Sequence, residues 1–318
     1  MKQTKKLGRG LEDFSHLFLS SPDGGSQPAD EVPGIEQSTG KALKAQVRTV
    51  CIAGERGVGE RAFLAVSLAV TFAGQGKKVL VFDADFSLPR LCMFMERVPS
   101  NSLLNLITHP ERKGAVLKES SGVTLITLDV DVATLTCLTD RERLSLKAAI
   151  RSSVEEASVV LVITSGDLIN QMKVFIESAD DIVVVAPQPV AEMINAYGLI
   201  KKIFQLDEHA RVGIIASRSS LFEQADAVFE KMQRVVKKFL DKPLLNHGYL
   251  PDDKAIIGFL ERERPDANLS PSPETTRCLA AIAHSLLAGG MRTGVHQLEE
   301  YSPTLAEKLF ACPPLHVE

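Results

Sequence analysis

From Arg48 onward the chain alternates near-continuous apolar runs with stretches of helical period, and this alternation constrains the fold more than any other feature. The apolar runs are RTVCIAG (48–54), KVLVFDAD (78–85), GVTLITL (122–128), SVVLVIT (158–164), DIVVVAP (181–187) and RVGIIAS (211–217). Between them lie RAFLAVSLAVTFAGQG (61–76), DRERLSLKAAIRSSVEEA (140–157), VAEMINAYGLIKKIFQL (190–206) and LFEQADAVFEKMQRVVKKFL (221–240). Strands that are apolar on both faces must be covered on both faces, and intervening helices supply the cover. The predicted fold class is therefore α/β: a mostly parallel sheet with helices on both sides. No internal repeat interrupts it.

The length allows one large α/β domain with tails or two modest domains, and composition supports a sizeable core. Hydrophobic residues make up 45% of the 318 positions and charged residues 24%, which excludes global disorder. The net charge of −4 argues against a broadly nucleic-acid-binding surface. The five cysteines (Cys51, Cys92, Cys137, Cys278 and Cys312) form no CxxC pair and no metal spacing; they read as thiols of a reducing compartment. No run approaches the ~18–20 apolar residues of a membrane span, and the basic N-terminus is followed by no apolar run of signal-peptide quality. A cytoplasmic protein is expected.

The predicted domain occupies residues 47–288, flanked by three further segments. Residues 20–46 are rich in Pro, Gly, Ser and acidic side chains and read as a flexible linker. Ahead of it, residues 1–19 place Leu7, Leu11, Phe14 and Phe18 on one helical stripe beside Lys5, Lys6 and Arg9. Such a segment cannot bury its own apolar face and must dock on the body, a partner or a membrane surface. Residues 289–318 read as a loosely packed tail with a short helix near 304–310.

The chemistry, if any, sits in GERGVGERA (54–62). A strand, a glycine-rich turn and a helix make an anion cradle, because backbone N–H groups and the helix dipole converge on one point. A full phosphate loop reads GxxxxGK[ST], with the lysine on the β/γ-phosphates and the hydroxyl on magnesium. Gly54 and Gly59 fit, with Gly57 between them, but Glu60 stands at the lysine and Arg61 at the hydroxyl, ahead of Ala62. Unit charges 4 Å apart are worth about 4 kcal/mol at an effective dielectric of 20, and a loss of ~4 kcal/mol weakens binding about a thousandfold. Arg56 and Arg61 offset part of this for binding, and neither supplies the magnesium ligand.

This loop followed by VLVFDADFSLPRL (79–91) resembles the ParA/MinD family of P-loop ATPases, and the order of motifs from Arg48 to Leu287 resembles its FlhG/FleN (YlxH) branch most closely. Supporting stretches are SADDIVVVAPQPVAEMINAYGLIKKIF (178–204), HGYLPDD (247–253) and RERPDANLSPSPETTRCLAAIAHSLL (262–287). The resemblance implies a P-loop NTPase-like (SIMIBI) domain and a site for ATP and Mg2+ at Gly54, Gly57, Gly59, Glu60, Arg61 and Ala62. It also exposes departures. The family's signature lysine falls on Glu55 and its companion glycine on Arg56. Its Walker-B aspartate falls on Ile163, the glycine that closes that motif on Asp167, and its adenine-recognising asparagine on Ser217. Asp83 and Asp85 remain, Asp85 as the family's water-positioning carboxylate; outside an active site the two are expected in solvent or paired with Arg56, Arg61 or Arg90.

The resulting expectation is a pseudo-ATPase: a ParA/MinD-like regulator or scaffold acting through protein partners, with no metal or nucleotide needed and any homodimer nucleotide-independent. Two alternatives stand beside it, an active divergent ATPase switch using Asp85 and Asp83, and a DNA-associated partition protein. Partner-facing residues are expected at Lys6, Leu7, Arg9, Leu11, Phe14 and Phe18, because KKLGRGL resembles the opening of ParB-type proteins, whose basic N-terminal peptide contacts a ParA-type ATPase. The bland reading, an amphipathic segment of unknown target, stays open. The tail stretch TLAEKLFACPP (304–314) resembles a remnant of the membrane helix of MinD-like proteins but carries few basic residues. MQRVVKKFLDK (232–242) is expected to be a solvated helix face packed on the sheet, and location at a pole or inner-membrane surface is compatible with the resemblance.

Overall fold

The computed structural model describes residues 47–54, 59–84, 116–118, 122–127, 139–165, 169–219, 221–254 and 271–289. The N-terminal segment, the linker and the tail beyond Gly289 lie outside the described residues. The strands are β1 (Arg48–Gly54), β2 (Val79–Ala84), β3 (Val116–Lys118), β4 (Val123–Thr127), β5 (Val159–Ser165), β6 (Asp181–Pro187), β7 (Val212–Ser219) and β8 (Leu245–Pro251). The helices are α1 (Gly59–Gly74), α2 (Asp140–Glu156), α3 (Ile169–Ser178), α4 (Val190–Leu206), α5 (Phe222–Leu240) and α6 (Pro273–Ala288).

One sheet runs in the order β3-β4-β2-β5-β1-β6-β7-β8. Every neighbouring pair is parallel except β3 with β4. All six apolar runs became strands. The three-residue β3 and the edge strand β8 were not among them, and neither α3 nor α6 was anticipated as a helix.

Side chains of the central strands divide between two apolar cores. On one face Cys51 and Ala53 of β1 join Phe175, Met193, Val228 and Met232 from α3, α4 and α5. On the other, Val50 and Ile52 join Phe63, Leu68 and Phe72 of α1 with Leu279, Ile282 and Leu286 of α6. The alternation along β1 is the pleat itself, and both faces are apolar because both are covered. Each fully buried side chain of this size contributes about 1.5–3 kcal/mol. Helix α5 behaves as expected: Met232, Val235 and Val236 are buried while Arg234, Lys237 and Lys238 face solvent.

Two caps fix the helix starts. Thr139 and Glu142 form a reciprocal capping box at α2, with Glu142 N donating to Thr139 Oγ1 (3.3 Å) and Thr139 N to Glu142 Oε2 (2.7 Å). At α6, Thr275 N donates to Ser272 Oγ (3.2 Å), Pro273 follows the cap, and Asp253 Oδ2 accepts from Ser272 N and the Thr275 hydroxyl, both at 2.8 Å.

At the strand N-termini, Asp181 is fully buried and holds two cations. Arg48 Nη2 donates to its Oδ2, and Arg211 Nε lies 3.1 Å from its Oδ1. Gly289, which caps α6, seals this cluster: a Cβ there would stand 2.8 Å from Arg48 Nη2 and 2.9 Å from Arg211 Nη2. Of the cysteines, Cys51 is buried, with its thiol pushed up to about 12 by that burial, and Cys278 is partly buried; both are free thiols.

Candidate functional site

Strand β1 ends at Gly54 and α1 opens at Gly59, so the strand–turn–helix that the glycines announce is present at both ends; Gly57, Glu55 and Arg56 lie outside the described residues. The helix starts with Gly59, Glu60, Arg61 and Ala62, all buried. Burial of two consecutive charged side chains demands partners.

Arg61 turns back along the sheet. Its aliphatic stem lies against Gly54, in the space a Cβ would need, and its Nη1 donates to the carbonyl of Thr164 near the end of β5. Register explains the reach, since Ala53 pairs with Thr164 and Gly54 with Ser165. The expected phosphate-side cation is thus engaged by the backbone of the neighbouring strand.

Glu60 points the other way, across β6 to the end of β7. Ser217 Oγ donates to its Oε2 (3.1 Å) and Arg218 Nε to its Oε1 (2.5 Å). Arg218 extends further, and its Nη1 donates to Glu192 Oε1 (3.1 Å) in the first turn of α4. A charge-assisted chain Glu60–Arg218–Glu192 therefore ties α1 to α4 through the tip of β7. Burial works against the Arg218 cation, but hydrogen bonds and charge from Glu60 and Glu192 outweigh it and hold its pKa above the ordinary arginine value. Arg218 adopts a left-handed backbone, φ 54°, which a side chain other than glycine takes only where its surroundings enforce it.

The cavity left between Gly54, Glu60, Arg61, Pro187, Glu192 and Asn195 is about 50 Å³. That admits a few waters, against about 300–1,000 Å³ for typical ligand sites. Strand β5 ends no better for metal chemistry. Ile163 is 3% exposed, sits in register with Ile52 and Asp83, and belongs to the core beneath α1. A hydrocarbon there offers magnesium no oxygen. Asp83 itself is 3% exposed within β2, so of the settings expected for it solvent is excluded; Asp85 and Asp167 lie outside the described residues. No group of three or more His, Cys, Asp or Glu side chains that could hold a metal ion occurs among the described residues.

Lys6, Leu7, Arg9, Leu11, Phe14 and Phe18 also lie outside the described residues. The residues that sequence reasoning missed are Arg218 and Glu192. The sequence singles out Ser217 one position away, but no local pattern links residues 158 and 26 positions apart.

The fold is that of the ParA/MinD-type P-loop ATPases. MinD of Pyrococcus horikoshii, solved with Mg-ADP, superposes with a TM-score of 0.56 at 17% identity, over 77% of this chain and 98% of that one. The Aquifex aeolicus MinC:MinD complex gives 0.56 at 16% identity, over 79% and 99%. A Borrelia burgdorferi putative plasmid partition protein bound to AMPPNP gives 0.53 at 14%, over 76% and 98%. Within that class the sequence is similar to the antiactivator FleN of Pseudomonas aeruginosa, 21% identical over 241 residues, which span 76% of this chain and 86% of FleN. No protein-family model matches the chain. No described helix is long and apolar enough to cross a membrane.

Proposed function

We propose that this chain is a ParA/MinD-fold regulator of the FlhG type that has given up nucleotide turnover and works through protein partners. The observation that carries the reading is Glu60. It stands where the resembled loop has its phosphate lysine, and it is tied to Ser217, where the resembled family has its adenine-binding asparagine. Side chains from the phosphate end and the base end of the resembled site thus meet each other, with Arg218 closing the contact.

The other departures point the same way. Ile163 replaces a magnesium-side carboxylate and Arg61 is held by the β5 backbone. The similarity to an antiactivator supports a regulatory role in bacterial spatial organisation, such as flagellar number or placement, polar assembly or partitioning. The place of action is the cytoplasm, at a cell pole or the inner-membrane surface, and any homodimer forms without nucleotide.

The test is genetic rescue. In a deletion strain, flagellar number and placement are scored after complementation with wild type or with Asp85→Ala. The proposal expects a defect in number or placement that both alleles restore equally. Loss of rescue by Asp85→Ala would establish the active-switch alternative instead.

A further inference from the structure

One exposed surface plays no part in the nucleotide-site reading. Where β7 passes into α5, Leu221 is 58% and Phe222 60% exposed. Phe222 stacks edge-on against Tyr249 of β8, ring centroids 6.1 Å apart and planes at 67°. Two adjacent large apolar side chains open to water, extended by an aromatic neighbour, are more than scattered exposure.

Acidic groups neighbour this patch in sequence or through its own contacts. Glu192 and Glu60 hold Arg218 between them. Glu223 is exposed in the first turn of α5, Asp252 is exposed just past β8, and Glu274 of α6 accepts from the Tyr249 hydroxyl at 3.4 Å. Among the described residues Lys254 and Arg277 are exposed cations close by in sequence, beside the part-exposed Arg218, and the acidic groups outnumber them.

We propose that this acid-rimmed apolar patch is the docking surface for the chain's own N-terminal segment, residues 5–18. That segment is complementary in both respects. Its sequence spaces Leu7, Leu11, Phe14 and Phe18 at helical intervals, and residues 1–20 carry Lys2, Lys5, Lys6 and Arg9 against Glu12 and Asp13. Reach permits the contact. Val47 lies at the N-terminal end of β1 and the patch just past the C-terminal end of β7; Cys51 stands level with Val212 through β6, which puts Val47 and Ser219 eleven residues, about 36 Å, apart along the sheet and two strands apart across it. Residues 20–46 have the composition of a flexible chain, and 27 such residues have an end-to-end distance of about 29 Å. A tether whose end-to-end distance is comparable to its span keeps the segment at a high effective concentration, which favours the chain's own segment over a free competitor. The inference stands apart from the loss of turnover, since a docked segment is compatible with either nucleotide reading.

Hydrogen–deuterium exchange of the full chain tests it, at two protein concentrations tenfold apart. The expected result is amides within residues 5–18 slowed at least tenfold, equally at both concentrations. That protection disappears in Leu221→Asp and in Phe222→Asp, whose exposed positions leave the core intact. Reciprocally, Leu11→Asp speeds exchange across residues 221–226 without touching the body. Three outcomes overturn the proposal: no protection of 5–18, protection that survives both patch variants, or protection that grows with concentration and so belongs to a second copy.

Discussion

Removing the Arg218 side chain tests the Glu60 contact most sharply. The Glu60 side chain is 9% exposed and that of Arg218 40%. Exposed pairs contribute about 0.2–1 kcal/mol, whereas stripping one partner from a buried pair costs about 3–5 kcal/mol. A half-buried pair whose carboxylate keeps only Ser217 falls between, so Arg218→Ala is expected to cost about 2 kcal/mol. For a domain of this size that lowers Tm by about 4–8 °C. Arg218→Gly removes the same charge but relaxes the left-handed backbone at φ 54°, and should cost about 0.5–1 kcal/mol less than the alanine variant. Urea denaturation of Arg218→Ala, Glu60→Gln and the double variant completes a cycle. The double variant should be about 1–2 kcal/mol more stable than the two single costs added together. Additivity within ~0.5 kcal/mol would refute the reasoning, because it would mean that the two side chains do not interact in solution.

Two further outcomes follow from the opposite end of the sheet. Asp181→Ala leaves Arg48 and Arg211 without their shared counter-charge beneath Gly289 and should cost about 3–5 kcal/mol by urea denaturation, Asp181 being fully buried. His247 packs on Gly213 and shares a hydrogen bond with Ser285 Oγ at 3.0 Å. Burial pushes its imidazole below 6.5, with Asp181 opposing and Arg211 and Arg48 adding to the fall. The unfolded chain therefore takes up the proton first as pH drops. The contribution of this residue is complete above about pH 6.5 and declines below it, down to the folded pKa. Stability measured by denaturant midpoint should rise with pH across that window, and the slope contributed there should vanish in His247→Gln.

The sheet was legible because its physics is local. Runs such as DIVVVAP and RVGIIAS have no polar alternation, so they cannot lie on a half-solvated sheet; β6 coincides with the first, and β7 covers the second from its second residue and runs two residues past it. What escaped was short or interrupted. The three residues of β3 carry no period at all, and β8 contains Asn246, His247 and a left-handed Gly248 that mask its strand character. Helix α6 did announce itself, with Ser272 as cap and Pro273 at its first turn, but that signal stood inside a stretch read for its family resemblance. The glycines of the candidate site were equally visible, because Gly54 must leave room for Arg61. The partner of Glu60 was not. An ion pair across 158 positions is set by which strand ends meet, and that depends on a topology in which β6 intervenes between β1 and β7. Sequence showed a carboxylate where a lysine is needed, and only the fold supplies the arginine that makes it tolerable.

The claim at the centre of this account is that the site at the start of α1 is filled by the protein's own side chains and takes no nucleotide. Calorimetric titration of the full chain with Mg-ATP measures it directly. The account predicts no saturable heat up to about 1 mM ATP, consistent with the ~4 kcal/mol disadvantage of a carboxylate at the phosphate position. Saturable binding in the micromolar range, abolished by Asp85→Ala, would contradict it.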